Sequence, residues 1–373
     1  MHSEEIPPVA PAAEPRSRFA AAYRVLDEAI AARAFPGCAF GVLAGCETVL
    51  MDALGRFTYD EDSRAVAPET VYDIASITKV AATTAAAMLL QQRGQLDLET
   101  PLSELLPGFK EKRAAGATGP TAGGVTLRNL LAHNSGLPGY VEFFRTAKTP
   151  DALLKACLEL PLEATPGARA EYSDPGFILL GKALEALTGE ALASWVRREV
   201  YLPLGMNATG FSPPASARSL IPPTEEDRTL RRRRIQGEAQ DENAWLLGGA
   251  AGHAGLFSNV ADLLLLAGEM LAANAGAGRL FEAATVRLFA QRQDPPGSSR
   301  ALGWDTPSEK SSSGKHFSRN SIGHLGFSGC SLWIDLEAAV AIVLLTNRTW
   351  PDRRSQLIRA VRPAFHNAVR ETL

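Results

Sequence analysis

Strand-like runs stand at both ends of this chain, with helical and turn-rich sequence between them. Residues 37–55, "GCAFGVLAGCETVLMDALG", read as two strands about a turn at Ala44-Gly45, with a return past "GRFTYDEDSRAV". Residues 327–335, "FSGCSLWID", and 339–347, "AVAIVLLTN", read as two more joined by a tight connection. This arrangement predicts an α/β (α+β) fold. An antiparallel sheet is built from both chain ends and flanked by helices, with a mostly helical region inserted. The 373 residues are more than one ordinary core takes. The expected division is an α/β domain of residues 17–80 and 250–373, a helical region of 81–249, and a site at their junction.

The helices are read from spacing and caps. "SRFAAAYRVLDEAIAARAF" has apolar residues at helical intervals and ends near Pro36-Gly37. Asp73 is placed to cap "SITKVAATTAAAMLLQQRG", a strong helix ended by Gly94. "VTLRNLLAHNSGLPG" is a short helix capped by Thr126 and closed at Asn134-Ser135-Gly136. Further helices are expected over 151–159, 175–188, 191–200, 260–276 and 283–291, and in a C-terminal run kinked at Pro363. Residues 111–124, "EKRAAGATGPTAGG", read as a mobile low-complexity loop. Residues 213–243 are polar, Pro- and Arg-rich and aperiodic, so a long functional or mobile loop is expected there.

Composition narrows the function. Apolar residues make up 46% of the chain, charged residues 21%, and the net charge is −3, which gives no global attraction to nucleic acid or an anionic membrane. The basic run Arg231–Arg234 lacks interleaved aromatics and reads as a solvated stretch, with an anionic contact as the alternative. Cys38, Cys46, Cys157 and Cys330 form no C-x-x-C pair and read as buried free thiols. The histidines form no metal-binding spacing, so neither a metal nor another cofactor is expected. The first residues, "MHSEEIPPVAPAAEPRSR", have acids where an export signal needs bases; a disordered leader over 1–16 and a cytoplasmic location are expected. No apolar run is long enough to span a bilayer.

Three short stretches carry chemistry. Ser76 and Lys79 stand one helical turn apart, at a helix start where backbone N–H groups are unpaired. A buried Lys79 amine could accept the Ser76 proton. The same spacing at Ser312 and Lys315 falls in the flexible "SEKSSSGKHFS" and is read as coincidence. Tyr172 precedes a helix at which Asp174, before Pro175, reads as the N-cap; its phenol could relay a proton beside Lys79. His324 and Gly326, in "SIGHLGFSGCSLWID", read as the opening of a strand, and the Phe327 N–H could join that of Ser76 as an oxyanion hole.

The order and setting of these stretches resemble the serine β-lactamase and penicillin-binding-protein superfamily, specifically its class C β-lactamase-related group. "VTLRNLLAHNSGLPG", "YLPLGMNATGF" and "VAIVLLTNR" add to the likeness, which spans residues 18 to 365. The resemblance implies an acyl-enzyme on Ser76, proton transfer by Lys79 and Tyr172, and an oxyanion hole of the Ser76 and Phe327 amides. Which of Lys79 and Tyr172 is the base stays open. His324 takes the place of the Lys, and Leu325 that of the Thr, in the group's K-T-G motif; both changes weaken anion recognition there. Asp174 stands where β-lactamases carry Asn, and an ionised carboxylate cannot donate to a substrate amide.

A further stretch, "IQGEAQDENAWLLGGAAGHAGLFS", is similar to a subgroup with peptidoglycan-related members, although Gln240 stands where that subgroup has His. Asp241, Glu242, Asn243 and His253 are read either as loop caps or, with Asp174 and Gly326, as substrate contacts. The expected activity is a serine hydrolase acting on an amide or ester, with a cell-wall-derived peptide or muropeptide first. A small-ester carboxylesterase and a slowly deacylating binding protein are the alternatives. A monomer with a small-molecule or short-peptide substrate is expected.

Overall fold

The computed structural model describes residues 13–45, 47–110, 112–113 and 124–373. Its largest sheet has five strands: β1 (Gly37–Ala44), β2 (Glu47–Gly55), β3 (Ile322–Leu325), β4 (Ser331–Asp335) and β5 (Val340–Thr346), in the spatial order β3-β4-β5-β1-β2. Every neighbouring pair is antiparallel, and β1 meets β5 with Cys38 opposite Thr346. The two chain ends therefore share one sheet, as the strand-like runs predict.

Helices cover both faces of this sheet. Helix α1 (Ala20–Ala31) and the C-terminal helix pack on one face. On the other lies α4 (Val260–Asn274), which shares its hydrophobic core with α2 (Ala85–Gln92) and α3 (Asp174–Thr188). Successive residues of a strand point to opposite faces. Phe40 and Val42 join the α1 core while Ala39 and Leu43 join the α4 core. With both faces covered, β1 and β5 read as continuous apolar runs instead of alternating ones. Gly41 has to be glycine because a Cβ there would come within 2.5 Å of the Val260 side chain on α4. The C-terminal helix, α5 (Ile358–Arg370), contains Pro363.

Several local expectations are corrected. The helix after Asp73 does not start as an α-helix. A 3-10 turn at Ala75–Ile77 leads into a π-helical stretch, Lys79–Thr84, before α2. The carbonyl of Ala81 in that stretch accepts from the Tyr201 hydroxyl, and the Thr83 hydroxyl donates to Gly252 O. Asp73 accepts the Ala75 N–H, two residues on, instead of capping the helix. The cap of α3 is Ser173, whose hydroxyl accepts from Gly176 N–H at 3.0 Å; Asp174 is its first residue and its carboxylate is released for other work. His324 lies inside edge strand β3, paired with Leu332, instead of opening a strand.

Within 213–243 the expected loop holds a 3-10 turn at Ala215–Leu220 and a hairpin pairing Glu225–Asp227 with Arg233–Ile235. Arg231 is buried, not solvated, because Asp227 and the carbonyls of Ala239 and Gln240 occupy its guanidinium. The mobile loop expected at 111–124 lies almost wholly outside the described residues, as does the leader up to residue 12, while Ala13–Arg18 is helical. Cys38, Cys157 and Cys330 are buried free thiols. No described helix is long and apolar enough to cross a membrane.

Candidate active site

A cavity of about 720 Å³ opens where β3, the Ser76 turn and the start of α3 meet. Ser76, Tyr172, Asp174, His324, Gly326 and Phe327 all line it. Ser76 follows a strained residue: Ala75 has φ +46°, a left-handed conformation that a non-glycine residue adopts only under constraint. Asp73 supplies the constraint. Its buried carboxylate holds Ala75 N–H on one oxygen and Gln240 N–H on the other, both at 2.8 Å.

Lys79 lies at the centre, fully buried. Its ammonium donates to Ser76 Oγ at 3.1 Å, Asp174 Oδ1 at 2.7 Å and His253 O at 3.0 Å, so all three donors are used. Burial alone would pull the amine down, yet the Asp174 carboxylate outweighs it and holds Lys79 above its usual value. Tyr172 sits with its ring 4.8 Å from Nζ. Burial raises its phenol, and hydrogen bonding to Lys79 and Ser76 only partly offsets that. At neutral pH the serine therefore faces an ammonium and a phenol, both protonated.

Two buried histidines flank Tyr172. His324 lies 5.9 Å from its ring; burial, with Lys79 and Arg300 nearby, holds this imidazole well below its usual value and neutral. Its Nδ1–H donates to Leu325 O at 2.8 Å, which leaves Nε2 as an unpartnered acceptor. His133, with ring centroid 4.7 Å from Tyr172 and a left-handed backbone, was missed in the sequence, where nothing local marks it. Its Nδ1 accepts the Ser173 N–H, and burial likewise keeps it neutral.

The remaining sequence candidates separate. Asp241 lines the cavity, caps the short helix Glu242–Leu246 and accepts from His253 Nε2 at 2.8 Å. Burial pushes its carboxyl up, but His253 and the Ala244 N–H outweigh this and hold it at about 2. Glu242 lines the cavity and pairs with Arg353 at 2.9 Å. Asn243 is not brought to the cavity: its amide is consumed by Phe144 N–H and Val141 O. The His253 ring is buried behind Asp241, and only its carbonyl serves the centre, through Lys79. Ser312 and Lys315 are not among the cavity's lining residues, as the coincidence reading requires.

At the far wall, Gly326 lets the end of β3 close on the Ser76 turn; a Cβ at 326 would come within 2.5 Å of Ile74 O. Gly326 N–H donates to Cys330 O at 2.8 Å, and the Phe327 N–H has no acceptor among the described residues. A further cation not read from sequence is Arg300, whose guanidinium lies 5.3 Å from the Tyr172 ring and only 3.8 Å from its nearest carboxylate, on Asp305. Its loop, "QRQDPPGSSRALGWD", carries no motif that marks it. The whole arrangement sets a hydroxyl beside a lysine amine in a cavity that Phe327 also lines, which suits acyl transfer.

Comparison with known proteins agrees with this chemistry. The family model described as Beta-lactamase matches residues 23–364. The chain is 34% identical over 307 residues to the N-acetylmuramyl-L-alanine amidase of Bacillus subtilis (strain 168), covering 75% of this chain and 68% of that protein. Among solved structures it resembles EstCE1, a hydrolase with promiscuous acyltransferase activity, at TM-score 0.75 and 22% identity over 95% of this chain and all of the other. It also resembles the octameric penicillin-binding protein homologue from Pyrococcus abyssi, at TM-score 0.69 and 21% identity over 87% and 72%. These two likenesses show the fold. The chain thus belongs to the beta-lactamase family and is a serine hydrolase of amide or ester bonds.

Proposed function

We propose that this enzyme cleaves an amide of a cell-wall-derived muropeptide through an acyl-enzyme on Ser76. The observation that carries the reading is the Lys79 ammonium, held 3.1 Å from Ser76 Oγ by Asp174 and His253 O. Once Lys79 or Tyr172 loses its proton, that group takes the Ser76 proton as Oγ attacks the carbonyl carbon. The oxyanion lies against the Ser76 and Phe327 N–H groups. The proton then passes to the leaving amine, the C–N bond breaks, and water hydrolyses the ester by the reverse route. His324, being neutral, supplies no charge for a substrate anion. Arg300 takes that part and favours a donor bearing a carboxylate, as a peptide of the wall does. The name of the Bacillus subtilis relative supports the muropeptide amide as the bond cleaved.

A small ester is the second reading, favoured by the half-exposed Phe327 and Tyr140 at the cavity rim. The test is release of peptide from a purified muropeptide by wild type and Ser76→Ala, beside a short-chain p-nitrophenyl ester. Muropeptide cleavage lost in the variant is the expected result. Ester turnover alone would support the second reading, and equal rates in both proteins would refute Ser76 as nucleophile.

A further inference from the structure

Arg362 is buried to 6% exposure on α5, yet no carboxylate lies within ion-pair distance among the described residues. A buried cation without a counter-ion is costly and calls for a reason. All its partners are carbonyl oxygens of one turn. Nη2 donates to Gly326 O at 2.6 Å and Cys330 O at 2.9 Å, and Nε donates to Gly329 O at 3.1 Å. This turn carries the Phe327 amide.

The Gly326 carbonyl and the Phe327 N–H belong to the same peptide unit. A trans peptide directs its C=O and N–H to opposite sides. Gly326 O has both acceptor directions filled, by Arg362 and by Gly329 N–H at 3.0 Å. The plane of that unit is thereby fixed, and its N–H is left without an internal acceptor. A charged donor on the carbonyl also polarises the peptide, which makes the N–H a stronger donor.

We propose that Arg362 is a positioning residue for the oxyanion hole: it orients and polarises the Gly326–Phe327 peptide, and its uncompensated charge favours the oxyanion formed on attack by Ser76. The inference rests on the Ser76 reading. Arg362 lines the same cavity, but its Nε and Nη2 donate to the carbonyls of the turn, so it acts through the peptide.

The experiment measures the rate at which a fluorophosphonate labels Ser76, followed by intact mass, in wild type, Arg362→Lys and Arg362→Ala. The phosphonyl oxygen of the adduct occupies the oxyanion position. Losing an oxyanion donor outright costs about 10²–10³ in rate, so a misaligned one is expected to cost about 10–100-fold in Arg362→Ala. Methylguanidinium should restore part of this loss. For a p-nitrophenyl ester the loss should fall on kcat, with KM within about threefold, since the interaction grows only as charge develops.

Lys keeps the charge but not the fork that reaches three carbonyls, so Arg362→Lys should fall between the two. Wild-type labelling in a folded Arg362→Ala protein, or a loss confined to KM, overturns the proposal. If Arg362→Ala fails to fold by near-UV circular dichroism, Arg362→Lys decides, and a wild-type rate there overturns it. A wild type that is not labelled, or label that persists in Ser76→Ala, defeats the Ser76 reading and the inference with it. Label lost only in Ser76→Ala defeats the inference alone.

Discussion

Replacing Asp174 by Asn and Lys79 by Met, singly and together, tests the electrostatic centre of this enzyme. The pair lies 2.7 Å apart, with the Lys79 side chain fully buried and that of Asp174 15% exposed. At an effective dielectric near 20 their attraction is about 6 kcal/mol, and desolvation of the two ions returns several of those. Asp174→Asn leaves a fully buried ammonium with Ser76 Oγ, His253 O and an amide oxygen, and is expected to cost about 3 kcal/mol. Lys79→Met leaves the more exposed partner, which water can reach, and should cost about 2 kcal/mol. The double variant has no charge to strand and should also cost about 2 kcal/mol. The resulting coupling is about 3 kcal/mol, near the upper end for residues in contact. Urea unfolding followed by tryptophan fluorescence at pH 7, with equal slopes across the four proteins, measures it. A coupling below about 0.5 kcal/mol would refute the claim that Asp174 is what keeps Lys79 charged.

Lys79 and Tyr172 are both held above their usual values, so whichever is the base gains its active form only as pH rises. The kcat/KM for an ester should climb from pH 6 through pH 9, up to about tenfold per unit, and a plateau reached by pH 7 would rule out both groups. Because the Asp174 carboxylate pulls both Lys79 and Tyr172 upward, Asp174→Asn should move that limb to lower pH, and an unmoved limb would show that neither group is the base. Arg300→Ala should raise KM about tenfold for a donor with a carboxylate and leave a neutral p-nitrophenyl ester within about twofold, since only the anion meets the guanidinium; equal effects on both would remove Arg300 from substrate binding. Gly326→Ala should lower ester turnover by about 10²-fold or more, because its Cβ would push β3 away from Ile74 O and separate the two oxyanion amides; unchanged turnover would show that those amides do not share an oxyanion.

The sheet was legible because its inner strands are long apolar runs, and their pairing across the chain followed from where they lie. The centre was legible wherever local spacing set it, as for Ser76 and Lys79. Cap positions were less so: Asp174 and Ser173 are adjacent cap formers, and only the pull of a buried ammonium from another helix decides which one caps. The second wall escaped altogether. Arg300 comes from an aperiodic loop and reaches the cavity by tertiary packing alone. Arg362 did leave a trace, since it falls on the buried face of α5 with Ile358, Phe365 and Val369 at helical spacing. A lone arginine in such a stripe signals an unusual partner, but nothing local says that the partner is a turn more than 30 residues away.

The pairing of Cys38 with Thr346 has a consequence for synthesis. At about 5–20 residues per second, a ribosome needs about 15–60 s to deliver the neighbour that β1 requires. Through that interval the first hairpin has an unpaired inner edge, and its Ala39 and Leu43 face stays uncovered until α4 is made. The nascent chain is thus an invitation to holding chaperones early and a rapid closure late. The same order means that no partial product can be active: the nucleophile emerges first, and the strand, turn and arginine facing it come among the last residues made.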